Sequence, residues 1–185
     1  MAFLGLVGRA KHERAGYALY GTAVRAARDP AWFTELGVAD TLDGRFDLIG
    51  LFVVLLIHRL RALPPPGADL AQAVFDAMFA DMDFNLRELG VGDLSVGKRV
   101  KAMWEALHGR AIAYEPALAT GDAPALAAAL ARNVWRGNAP AGAPARLADA
   151  ALRQRRHLDN FDLPAFRAGE VTFLAATTVL ACPPN

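Results

Sequence analysis

Residues 46–60 of this chain, FDLIGLFVVLLIHRL, limit what it can fold into more than any other stretch. Wound as a helix, the run is apolar around nearly its whole circumference, which requires burial on all sides rather than one face laid on a surface. Its uncharged part, residues 48–57, is well short of the ~18 apolar residues a membrane-spanning helix needs. A buried β-strand is the structural rival, but the length of the run and its single interior Gly50 favour a helix. We read it as the central helix of a globular bundle. His58, Arg59 and Arg61 complement the dipole at its end, and Pro64, Pro65 and Pro66 stop it.

A second stretch, residues 72–97, reads QAVFDAMFADMDFNLRELGVGDLSVG. Phe75, Met78, Phe79, Met82, Leu86 and Leu89 recur at spacings of three and four, so they share one helical face, read here as core. Asp76, Asp83 and Arg87 border that face on one flank, and Asp81, Asn85 and Glu88 on the other. Phe84 projects opposite it, towards solvent or a partner protein. Gly90, Gly92 and Gly97 break the pattern into a tight loop. Ser95 then caps a helix with Val96, Val100, Met103 and Leu107 inside and Lys98, Arg99 and Lys101 outside; Lys101 and Glu105 are spaced to pair.

Elsewhere the pattern is also helical. Tyr17, Tyr20, Val24 and Ala27 share a face, and Asp29 with Pro30 opens a short helix carrying Trp32, Phe33 and Leu36. Asp40 and Asp43 are candidate caps for the central helix. Residues 114–118 read as a short helix, Asp122 with Pro124 opens another that stops at Gly137, and Pro144 starts one that ends among Arg153, Arg155, Arg156 and His157. Beyond Phe161 the period is lost, and Val171, Phe173 and Ala175 read as one short extended segment packed on the bundle. The expected fold is all-α: a single compact helical domain of about seven to nine helices around a buried central one. Residues 1–16 are read as an N-terminal arm and residues 17–185 as the helical domain.

Hydrophobic residues make up 54% and charged residues 21%, which is globular rather than disordered, and the net charge of +1 offers no overall attraction to DNA or anionic lipid. The single cysteine, Cys182, excludes an intrachain disulfide framework and suits a reducing cytoplasm; Pro183 and Pro184 after it rule out prenylation. The N-terminus places Phe3, Leu4, Leu6 and Val7 before Arg9, Lys11 and Arg14, the reverse of a secretory signal but a pattern able to rest on a membrane surface. His12, His58, His108 and His157 fall on separate elements without ligand spacing, so no metal site is specified. GVGDLSVG lacks the lysine and hydroxyl of a P-loop, and no GxSxG elbow occurs. Asp76, Asp81 and Asp83 are dense enough to raise an alternative, a helical magnesium- and diphosphate-dependent enzyme. Their helical angles argue against it, because Asp81 lies on the opposite flank and Asp83 is spaced to pair with Arg87.

Three strings taken together resemble a known family: DTLDGRFDLIGLFVVLLIHRL, then AQAVFDAMFADMDFNLRELGVGDLSVGKRVKAMWEALHGR, then ALARNVW. The chain is similar, over residues 17–136, to the ubiquinol-cytochrome c chaperone family, bacterial relatives of the mitochondrial factor that assists cytochrome b and complex III assembly. The most specific parts are DTLDGRF at residues 40–46, DMD at 81–83 and LRELGVGDLSVGKRVK at 86–101, with a fainter echo in RAGEVTFLA. Phe84 stands where a polar or basic residue is expected, and the Ala- and Pro-rich residues 138–150 are individual. The resemblance implies a non-enzymatic, cofactor-free assembly factor that binds cytochrome b or another complex III subunit. It also implies a cytoplasmic protein with peripheral contact at the inner membrane; the mitochondrial relative acts with a small partner protein near the ribosome. The interaction surface it implies comprises Asp81, Asp83, Phe84, Arg87, Glu88, Asp93, Lys98 and Lys101.

Overall fold

The computed structural model describes residues 2–181, with side chains from His12 onward. Those residues form α1 (Ala2–Ala27), α2 (Ala31–Thr34), α3 (Leu42–Arg61), α4 (Gly67–Glu88), α5 (Asp93–Thr120), α6 (Ala123–Val134), α7 (Ala143–Leu158), α8 (Leu163–Ala168) and α9 (Ala176–Ala181). No strand occurs among them. The N-terminal apolar and basic side chains as far as Lys11, and Cys182, lie outside the described residues.

The apolar run is the centre of the molecule. Every residue of α3 from Asp47 through Leu56 is buried, and α1, α4, α5, α6 and α7 all pack around it. Each Leu, Val or Phe so enclosed contributes roughly 1.5–3 kcal/mol of burial. Thr41, rather than Asp40 or Asp43, caps α3: its hydroxyl oxygen accepts from Gly44 N at 3.2 Å. Asp40 is drawn away to Arg45 at 2.6 Å, and Asp43 sits in the first turn, where a carboxylate complements the dipole.

Asp47 is the one carboxylate in that run and has no solvent exposure. Arg110 of α5 donates to one of its oxygens and Arg136, just beyond α6, donates to the other at 2.8 Å. The Arg110 guanidinium also lies over the Phe46 ring, 5.4 Å from its centroid. Burial pushes the Asp47 carboxyl above its ordinary value while the two guanidiniums pull it back. This cluster ties α5 and the end of α6 to the central helix.

On α4 the buried face is turned roughly a quarter of a revolution from the expected one. Leu70, Ala71, Val74, Ala77 and Met78 are enclosed; Phe75, Phe79, Met82 and Leu86 are only half-buried, and Leu89, expected in the core, is exposed. Small residues decide this, because they let α1 lie close along α4. A Cβ added at Gly16 of α1 would stand 2.5 Å from the Ala73 carbonyl oxygen. On α1 itself Leu19, Tyr20, Ala23 and Ala27 face inward and Tyr17 faces solvent.

Two further expectations change. Residues 114–118 are not a separate helix, for α5 runs unbroken through Pro116. The proline removes only the N–H that would bond to the Ile112 carbonyl, and Ile112 is exposed, so water can serve that oxygen. Beyond Phe161 helix returns as α8 and α9, and residues 170–175 between them have no regular secondary structure; Val171 is buried and Phe173 meets Phe52 edge-on at 4.9 Å, whereas Ala175 is exposed. Their backbone partner is a side chain, since buried Gln154 donates to Leu174 O at 2.8 Å and accepts from Leu174 N at 2.9 Å. The chain then forms α9, whose first N–H, that of Ala176, donates to Asp29.

Candidate protein-binding site

Past Met82 the α4–α5 hairpin leaves the bundle: none of residues 83–95 is buried. Val96 is fully enclosed but stands apart from the main core cluster. Backbone hydrogen bonds form the turn between the helices. Gly90, at φ +78°, donates to Arg87 O, and Val91 N donates to Leu86 O at 3.1 Å, the paired bonds of a Schellman helix end. Helix α5 begins at Asp93 after a Gly92 cap, which leaves Ser95 exposed in the first turn rather than capping it.

Arg87 is the tip's organiser. It donates to Asp83 at 2.7 Å, one turn back on α4, and also to Asp93 across the loop. The pairing with Arg87 holds the exposed Asp83 carboxyl below the usual carboxylate range. Asp81 points inward instead and accepts from the Tyr20 hydroxyl at 2.7 Å; burial and this bond push the phenol well above its ordinary value. Glu88, Lys98 and Arg99 are exposed and make no ion pair among the described residues, and Lys101 reaches Glu105 at 3.8 Å. Asp83, Arg87 and Asp93 are thus joined directly, whereas Phe84 stands alone on the outer side at 61% exposure.

The structure also exposes residues that sequence reasoning missed. Leu89 is 64% and Leu94 100% exposed, beside the glycine turn. Trp104 is 42% exposed and stacks on His108, with ring centroids 5.0 Å apart, and Ile112 is 61% exposed one turn further. Leu94, His108 and Ile112 lie at helical angles opposite Val96, Val100, Met103 and Leu107, so the signal was in the spacing. Asp47 was equally visible as the lone acid in an apolar run, but its two partners lie far along the chain.

The three aspartates of the enzymatic alternative are held by three different groups. Gln72 donates to Asp76 at 2.7 Å, Tyr20 to Asp81 and Arg87 to Asp83. Among the described residues no group of three His, Cys, Asp or Glu side chains is placed to hold a metal ion. What the tip offers chemically is an exposed apolar surface edged by charges of both signs, which suits association.

The family model for the ubiquinol-cytochrome c chaperone matches residues 34–173, a span that contains the whole tip. The fold is similar to the crystal structure of the Cbp3 homolog from Brucella abortus, with a TM-score of 0.80 and 33% identity over 95% of this chain and 98% of that one. Comparison with curated proteins gives no match. A family match over most of the length, joined to a full-length structural likeness at this identity, places the chain in the ubiquinol-cytochrome c chaperone family.

Proposed function

We propose that this chain is an assembly chaperone of the ubiquinol-cytochrome c reductase complex, complex III, and that it holds newly made cytochrome b through the α4–α5 tip. Membership of the chaperone family supports the first part. The observation that carries the second is the solvent-facing Phe84, Leu89 and Leu94 on a hairpin end that none of the bundle covers. Asp83, Arg87, Glu88, Asp93, Lys98 and Lys101 edge that surface, and Asp81 anchors its base through Tyr20. The role is one of binding, with no catalytic step.

The protein acts from the cytoplasm with peripheral contact at the inner membrane. No helix among the described residues is long and apolar enough to cross a membrane. A photo-crosslinker at position 84, activated in host membranes, is expected to capture cytochrome b, and deletion of the gene is expected to lower assembled complex III. Normal complex III in the deletion strain would sink the chaperone reading; capture of an unrelated protein would sink the client assignment.

A further inference from the structure

The near-zero net charge conceals an uneven distribution. Residues 1–28 hold five of the 20 Lys and Arg residues and one of the 19 acids, Glu13, so that stretch carries a net +4 and the remainder of the chain −3. On α1 the charges are also sorted by angle. At about 100° per residue, positions 14, 17, 21, 25 and 28 fall within an arc of about 80°. They are Arg14, Tyr17, Gly21, Arg25 and Arg28, and no acid lies on the arc. The three arginines are exposed and Tyr17 is 47% exposed, while Ala15, Leu19, Tyr20, Ala23 and Ala27 face the core. Arg25 donates to the Thr22 hydroxyl at 2.7 Å, and none of the three arginines makes an ion pair among the described residues. Helix α8 meets α1 at Ala18 and brings one charge of each sign, Arg167 and Glu170, within two residues of that contact. From Arg14 to Arg28 the face runs about 21 Å at 1.5 Å per residue.

We propose that this face of α1 rests on a bilayer surface bearing anionic headgroups. The inference deepens the peripheral membrane contact proposed above by naming the surface that makes it. Charge sign separates this face from the tip. At the tip Arg87 is matched by Asp83 and Asp93, and Lys101 by Glu105, so acids there would be pressed against lipid phosphates. On α1 every charge in the arc is positive, which is what an anionic surface attracts. The same arc, continued towards the N-terminus of the helix, passes through positions 3 and 7, Phe and Val in the run AFLGLVG. An apolar end followed by cations along one side is the pattern of a helix lying in a membrane interface, and tyrosine is among the residues enriched at that depth. RNA also offers phosphates, but it gives an apolar run nothing to bury in, and base stacking uses more aromatic side chains than the single Tyr17 of this face.

The test is co-sedimentation of the full-length protein with vesicles of phosphatidylglycerol mixed with phosphatidylcholine, in about 0.1 M salt. Phosphatidylcholine vesicles alone are the comparison, and a single-stranded RNA oligonucleotide is the competitor. The anionic vesicles are expected to bind, the neutral ones not, and RNA to displace nothing. The triple variant Arg14→Gln, Arg25→Gln, Arg28→Gln changes only exposed side chains and is expected to weaken vesicle binding about 100-fold, at about fivefold per arginine, with unchanged circular dichroism. Lysine at the same three positions is expected to retain it. Phe3→Ser with Val7→Ser is expected to cost about tenfold. Removing Lys98, Arg99 and Lys101 in the same way should cost less than about fivefold, because screening confines each charge to its own neighbourhood. Parent-like binding by the arginine triple or by the Phe3 and Val7 double, displacement by RNA, or an equal loss from the tip variant would overturn the inference. Binding by the parent that the α1 variants leave unchanged would keep the membrane contact and remove this face from it. A parent protein that binds no vesicle would remove both, and leave the chaperone reading to be decided by the level of complex III.

Discussion

Helix α3 and the α4–α5 tip are both rich in large apolar residues, yet they treat them in opposite ways. From Asp47 through Leu56 of α3 every side chain is enclosed, and the one acid of that run, Asp47, is met by two arginines drawn from elsewhere in the chain. At the tip Phe84, Leu89 and Leu94 face water, and the ion pairs connect neighbours across one turn or one loop. Apolar area in α3 is used to hold the chain together. At the tip it contributes nothing to the fold and is left for another molecule.

The contrast breaks first, if it breaks, at Asp47. Asp47→Ala strands the nearly enclosed Arg110 and is expected to cost about 3–5 kcal/mol in urea unfolding. A loss below 1 kcal/mol would mean that water reaches the cluster. Leu55→Ala, from a site with no exposure, should cost about 3 kcal/mol by the same measurement. The Schellman turn lies between the two regimes: Gly90→Ala forces a Cβ into positive φ, for about 1 kcal/mol. Phe84→Ala and Leu94→Ala should each move stability by less than about 0.5 kcal/mol while abolishing co-purification of the client. Destabilisation matching that of Leu55→Ala would place these residues in the core economy after all.

The finest distinction is in pH. Asp83 is held below its ordinary value, so its contribution is present above the unfolded value and is lost as pH falls through the folded one. Protection factors of the amides at residues 86–96, with the intrinsic pH dependence of exchange divided out, should therefore fall on acidification. Asp47 is raised by burial, so its share is present below the unfolded value and is lost as pH rises through the folded one. Asp47→Asn should remove that slope from the unfolding free energy and leave exchange at the tip untouched.

Much of the architecture was legible because local rules and tertiary packing agree on it. The run at residues 46–60 had nowhere to go but the centre, and Asp122 caps α6 as its position before Pro124 implies, accepting from Ala125 N at 2.9 Å. On α4 they disagree. Weighting Phe and Met as core selected the half-buried side of the helix, whereas close approach by α1 selected Leu70, Ala71, Val74 and Ala77. Phe84 was recognised as outward-facing because it opposes the apolar stripe, but Leu89 was assigned inward because nothing in its spacing reveals that α4 outruns the bundle. The last helix, α9, was missed for the same reason: six residues carry little periodicity, and their helix is fixed where Ala176 meets Asp29 and α7 lies alongside.

By itself the sequence determined an all-helical chain with one helix enclosed through its middle, a charged glycine turn and the strings of its family. These are properties of spacing, propensity and local bonding, which neighbours in the chain decide. Only the tertiary structure decided which face of α4 is core, which arginines neutralise Asp47, and that the α4–α5 end stands clear of the bundle. Those depend on pairs such as Gly16 with Ala73 or Asp47 with Arg136, far apart in sequence, and a helical period carries no information about which distant element will cover a face.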